Sequence, residues 1–173
     1  GDRTKVNLSL TAGGVANAST FASSVSLRAG YAAGSVTSGA APYGTAVFRV
    51  NQGRTVVSEA AVPASQPTTA ARIFIDYGAL VPSGPPSLQA GPVWTYTGIA
   101  AVNPGTATAG ITFTLRDMQG RTLATGHGSL APGAHRALFL QQLQELAPDF
   151  VLPADFASAT RFGSLEIAGD KPI

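Results

Sequence analysis

The sequence predicts an all-β fold made of two related β-sandwich units, and three observations carry that expectation. Short β-branched runs are separated by Gly, Pro, Asn and Ser throughout. A turn peptide, Gln52-Gly53-Arg54-Thr55, recurs 67 residues later (52 to 119) as Gln119-Gly120-Arg121-Thr122. One stretch alternates cleanly: Ile111, Phe113 and Leu115 interleave with Thr112, Thr114 and Arg116, as in an antiparallel strand with one buried face.

Taken in order, the strand expectations in the first half are Val6–Leu10, Val25–Val36, Thr45–Val50, Thr55–Ala60 and Arg72–Tyr77. Those in the second half are Val93–Val102, Ala109–Arg116, Thr122–Leu130, His135–Leu140 and Arg161–Ala168. Asn51-Gln52-Gly53 and Asp117-Met118-Gln119-Gly120 supply hairpin chemistry, with glycine free to take the positive φ of a tight turn. Phe139, Leu143 and Leu146 recur at spacings of four and three among Gln and Glu, which predicts an amphipathic helix of about two turns. Pro148 ends it.

The segment around Pro82, Pro85, Pro86 and Pro92 cannot form a central strand. It divides the chain into an N-terminal unit at 1–80, a Pro/Gly-rich linker at 81–92 and a C-terminal unit at 93–173. The repeat extends beyond the shared turn. Phe48-Arg49-Val50 answers Phe113-Thr114-Leu115, Gly30-Tyr31-Ala32-Ala33 answers Gly98-Ile99-Ala100-Ala101, and Arg72-Ile73-Phe74-Ile75 answers Arg136-Ala137-Leu138-Phe139.

Composition excludes several classes. The 173 residues suffice for a buried core. Only 12% are charged, well below the roughly 25% of an average soluble domain, so Ser, Thr, Gln, Asn and Gly must cover much of the surface. A net charge of +2, with Arg scattered singly, leaves no electrostatic footprint for nucleic acid. No apolar run reaches the roughly 18 residues of a membrane span, and Gly1-Asp2-Arg3-Thr4 has none of the features of a signal peptide. With no cysteine, disulfides, thiolate metal sites and cysteine nucleophiles are absent.

The second half resembles a repeated domain of uncharacterised bacterial cell-surface and secreted proteins. The residues that carry the resemblance are Thr97-Gly98-Ile99-Ala100-Ala101-Val102-Asn103-Pro104, Ile111 through Asp117 with Gly120, His135 through Leu146, and Phe162-Gly163-Ser164-Leu165-Glu166-Ile167. The first half resembles the segment that precedes such a domain, in Arg28-Ala29-Gly30-Tyr31, Pro42 through Phe48 and Ala71 through Tyr77. The resemblance implies extracellular β-sandwich units of immunoglobulin-like type and brings no catalytic residue with it. Family members continue past the equivalent of Lys171-Pro172-Ile173 into a further apolar strand, so an open sheet edge is expected here.

Candidate chemistry is sparse. His127 and His135 stand symmetrically about Ala131, and a hairpin centred there would set two imidazoles side by side, able to share a transition metal given a third ligand. The commoner role for such residues is as polar strand positions. A Ser-His-Asp arrangement is formally available from Ser129, His127 or His135, and Asp117, but the strained strand-to-helix elbow of such enzymes is missing. The carboxylates Glu59, Glu145, Glu166 and the six Asp do not pair as a glycoside hydrolase requires. Trp94 and Tyr96 share a strand face, as in an aromatic platform for sugars, or as large side chains covering a junction.

The function expected is therefore non-enzymatic and needs no cofactor: a structural or adhesive extracellular module, with polysaccharide binding through Trp94 and Tyr96 as the alternative. Its partners are other protein chains or copies of itself. Val6, Leu8 and Leu10 alternate with Asn7 and Ser9 ahead of a Gly-, Ala- and Ser-rich stretch, which predicts an arm that adds as a strand to a neighbour and builds a fibre.

Overall fold

The computed structural model describes residues 5–20, 30–77, 96–156 and 162–173. The chain divides into two units, Gly1–Gly30 and Tyr31–Ile173. In the first unit, residues 5–20 hold no strand; a turn closed by Gly14 N donating to Thr11 O (2.9 Å) uses Gly13 at φ 71°. Val6, Leu8 and Leu10 are exposed and lie in no strand among the described residues, which differs from the strand expected at Val6–Leu10. Alternation alone makes no strand when no second backbone takes up its N–H and C=O groups.

The second unit is mostly β. Strands β1 (Thr45–Gln52) and β2 (Thr55–Pro63) form an antiparallel hairpin. Strands β3 (Ala70–Asp76), β8 (Phe162–Gly169), β5 (Ala109–Asp117) and β6 (Thr122–Leu130) form a four-stranded antiparallel sheet in the order β3–β8–β5–β6. Strands β4 (Gly98–Val102) and β7 (His135–Phe139) pair separately. No strand covers 30–36, and the remainder of the expected Val25–Val36 strand, like residues 93–95 of the expected Val93–Val102, lies outside the described residues.

β5 alternates as its sequence predicts, with Ile111, Phe113 and Leu115 buried. They form a core with Ile75 of β3, Leu165 and Ile167 of β8, and Ala124 and Leu130 of β6. Leu140, Leu143, Ala147, Phe150 and Phe156 cover this face, and Ile99, Ala101 and Leu138 of the β4–β7 pair pack against the same cluster. The linker expected at 81–92 lies outside the described residues. The sheet joins strands from both sides of it, because β3 is hydrogen-bonded along its length to β8.

The amphipathic helix expected over Phe139–Leu146 is a 3-10 helix at Leu140–Glu145. Three residues per turn set Leu140, Leu143 and Leu146 in one line, and Phe139 is left largely exposed. Six residues cannot repay the nucleation of an isolated α-helix. Gln142 closes the first turn by accepting the Phe139 N–H at its Oε1 (3.0 Å).

The two copies of the repeated turn peptide are both hairpin turns, with Gly53 at φ 63° and Gly120 at φ 80°, but they differ in kind. Gln52 pairs with Thr55, so Gly53-Arg54 is a two-residue turn. In the second copy the loop is wider, because the Asp117 carboxylate accepts the N–H groups of Gln119 and Arg121 (2.9 Å each) and the Arg121 Nε (2.7 Å). No carboxylate precedes Gln52-Gly53 in the first copy, where the corresponding stretch is Phe48-Arg49-Val50-Asn51. Among the described residues, no helix is long and apolar enough to cross a membrane.

Candidate functional site

Alternation in the four-stranded sheet sends one set of side chains into the core and the other onto the opposite face. Arg72, Phe74, Thr112, Thr114, Arg116, Ser164, Glu166 and His127 stand on that second face. Glu166 lies between two cations: Arg116 Nε donates to its Oε2 at 2.7 Å and Arg72 pairs with its Oε1. These hydrogen bonds, that of Arg116 first, hold the Glu166 carboxyl below its ordinary value.

At one end of this face is a shallow depression of about 410 Å³, lined in part by Gly110, Thr112, His127, Gly128, Ala168 and Asp170. Small residues create it. Asp170 accepts the Gly110 N–H (2.7 Å) and a hydrogen bond from Lys171 Nζ (3.1 Å), while the same ammonium donates to Thr108 O (2.9 Å). Its carboxyl is lowered by the Gly110 N–H and then by Lys171.

His127 sits on the edge strand β6, and its partner is Asp149. One carboxylate oxygen accepts the His127 backbone N–H (2.6 Å), and the other lies 2.7 Å from Nδ1. The backbone hydrogen bond, followed by the ring, lowers the Asp149 carboxyl. The chain from Leu146 to Phe150 is pressed against β6, where a Cβ on Gly128 would lie 2.3 Å from Leu146 O. Two glycines on the buried side of β6 thus let Asp149 reach around the edge.

This geometry corrects the histidine pairing. The segment Ala131–Ala134 does not close a hairpin; it carries the chain from one sheet to the other. His127 faces Thr112 on β5, whereas His135 faces Val102 on β4. Asn103 holds the crossing in place. It is buried, its Nδ2 donates to Leu130 O and Ala107 O (2.8 Å each), and its backbone bonds to Gly133 and Ala134. His135 instead lies beside the Tyr31 ring, with centroids 5.7 Å apart. Among the described residues, no group of three or more His, Asp or Glu is placed to hold a metal ion.

The formally available Ser-His-Asp set is not brought together either. Asp117 is committed to its own turn, and the carboxylate that meets His127 is Asp149. Ser129 is two positions from His127 on one strand, which separates the residues by about 6–7 Å. Sequence reasoning missed Asp149, whose only signal was the turn chemistry of Pro148-Asp149 after a short helix.

Trp94 lies outside the described residues. Tyr96 is 47% exposed, but its ring meets Tyr77 edge-on at 5.9 Å and is tilted against Phe139 at 6.1 Å. Tyr77 leans in turn on Phe156. These rings pack against one another at steep angles, unlike a flat platform. No family model, no curated protein and no solved structure matches the chain.

Proposed function

We propose that this chain is a non-enzymatic structural or adhesive module of a bacterial surface protein, folded as an immunoglobulin-like β-sandwich and working outside the cell. One observation carries the reading. The acidic side chains best placed for chemistry, Asp117, Asp149, Glu166 and Asp170, are each engaged in holding turns, edges or neighbouring strands. Cover of one sheet face by the β4–β7 pair and the 3-10 helix supports the sandwich. The low charge supports a surface made for display. The exposed Val6, Leu8 and Leu10 support an arm that joins copies head to tail.

Two measurements test the reading. Beads coated with the full chain should adhere to one another or to cells, and removal of residues 1–12 should reduce the size of the particles seen by light scattering. Hydrolysis of ester or glycoside substrates that disappears in His127→Ala would overturn the non-enzymatic assignment. Glycan-array binding that is lost in Tyr96→Ala and Trp94→Ala would replace it with polysaccharide recognition.

A further inference from the structure

The edge of the four-stranded sheet at β3 is closed at both ends and open in the middle. Gly169 N donates to Thr69 O at 2.8 Å, and β3 runs antiparallel to β8 with Ala70 opposite Ala168. The ladder therefore turns the N–H and C=O groups of Ala71, Ile73 and Ile75 towards β8, and those of Ala70, Arg72, Phe74 and Asp76 outward. At one end the Thr68 hydroxyl donates to Ala70 O (2.9 Å) and accepts from Ala70 N (3.2 Å). At the other the Thr97 hydroxyl donates to Asp76 O (2.8 Å) and accepts from Asp76 N (3.1 Å). Two threonines thus stand in for a neighbouring strand at the ends, and among the described residues Arg72 and Phe74 have no such partner on this edge.

Two open residues, separated by one and flanked symmetrically by caps, make a self-complementary edge. We propose that β3 pairs antiparallel with β3 of a second copy about a two-fold axis at Ile73. Arg72 of each copy then faces Phe74 of the other as a hydrogen-bonded pair, which satisfies all four open groups of each copy. The two Ile73 residues face each other as a non-hydrogen-bonded pair, and the caps at Ala70 and Asp76 meet across the axis and limit the pairing to this register. Side chains agree with the backbone. Phe74 is 63% exposed, stacks on Phe162 with centroids 5.8 Å apart, and presents an aromatic ring to the guanidinium of the facing Arg72. The contact is isologous and closes as a dimer, joining two four-stranded sheets into one of eight. It needs no residue of the N-terminal arm.

The test uses the full chain. Sedimentation velocity from micromolar to millimolar concentration should show reversible dimer formation through this edge, which persists when residues 1–12 are removed even as larger, arm-dependent particles are lost. Failure of the arm and failure of this edge therefore give different results. Arg72→Pro removes an outward N–H together with the guanidinium that pairs with Glu166 and would face Phe74, but none of the backbone bonds from β3 to β8, and dimer dissociation should rise at least about tenfold. Phe74→Lys, which sets like charges across the axis and leaves the core untouched, should weaken the dimer in the same way. The chain has no cysteine, so Ile73→Cys is a clean reporter: mild oxidation should yield a covalent dimer. Ala70→Cys should not, because its two thiols would lie about 20 Å apart. A chain that stays monomeric throughout, or a dimer indifferent to Arg72→Pro and Phe74→Lys, overturns the proposal.

Discussion

The Cβ that Gly126 lacks would lie 2.4 Å from the Cβ of Phe150 and 2.7 Å from its Cα. Phe150 is buried, and it reaches the core because β6 presents no side chain at that point. Gly126→Ala must therefore displace backbone on the covering segment, not merely a flexible side chain. Its expected cost is about 3 kcal/mol, read as a lower denaturation midpoint in urea with unchanged slope.

Asn103 bridges the turn after β4 to the crossing between β6 and β7, with both amide hydrogens and its Oδ1 in use. Asn103→Ala leaves Leu130 O and Ala107 O without that donor and should cost about 2–3 kcal/mol. Asn103→Asp tests the donor role directly. A carboxylate there faces two carbonyl oxygens, so its pKa in the fold is raised, and the deficit in urea unfolding should shrink as pH falls and the acid protonates.

Acid should unfold the protein through its carboxylates. Asp149, Glu166 and Asp170 are lowered by the hydrogen bonds described above. Burial pulls Asp117 upward, but the Arg121 and Gln119 donors outweigh it and leave that group lowered too. A depressed carboxyl stabilises the fold fully above its unfolded pKa and loses that contribution as pH falls through its folded one. The thermal midpoint should thus hold steady above pH 4.5 and begin to drop as pH passes below the ordinary values of 4.5 for Glu166 and 3.8 for the aspartates. A midpoint that falls mainly between pH 7 and 5.5 would instead assign the loss to histidine.

Asp149 closes the β6 edge by accepting the His127 N–H. Asp149→Ala opens that hydrogen bond without disturbing the ladder to β5, so amide exchange at His127 should accelerate at least about tenfold while Gly126 and Gly128, whose N–H groups face β5, change little. Hydrogen exchange followed by NMR reads both at once. Equal acceleration along the whole of β6 would mean that Asp149 supports the strand itself rather than its edge.

What could be read from the sequence was local. The Ile111-Phe113-Leu115 alternation located a core face, and the two glycine turns located hairpins, because each depends on neighbours a few residues away. What escaped depends on distant backbone. β3 meets β8 across 94 residues at Arg72 and Glu166, and no pattern within either strand names the other. The symmetry of His127 and His135 about Ala131 suggested a hairpin, yet the same Pro-Gly turn also serves a crossing between sheets. Asn103 and the pairing of β7 with β4, both far off in the chain, hold the crossing. Asp149 was invisible for a related reason: glycines on β6, not any feature near Asp149, create the space through which it reaches His127.

The alignment of β3 with β8 has a mechanical consequence. Thr68 and Ile173 exchange both backbone hydrogen bonds (3.1 and 3.0 Å), so the entry to β3 and the exit from β8 lie side by side at one end of the pair. Tension applied between those two residues pulls the strands apart from that end and loads their hydrogen bonds one after another. The pair unzips instead of shearing. β3 leaves the sheet first, at low force, while β5, β6 and β8 remain together as the part of the sheet that holds.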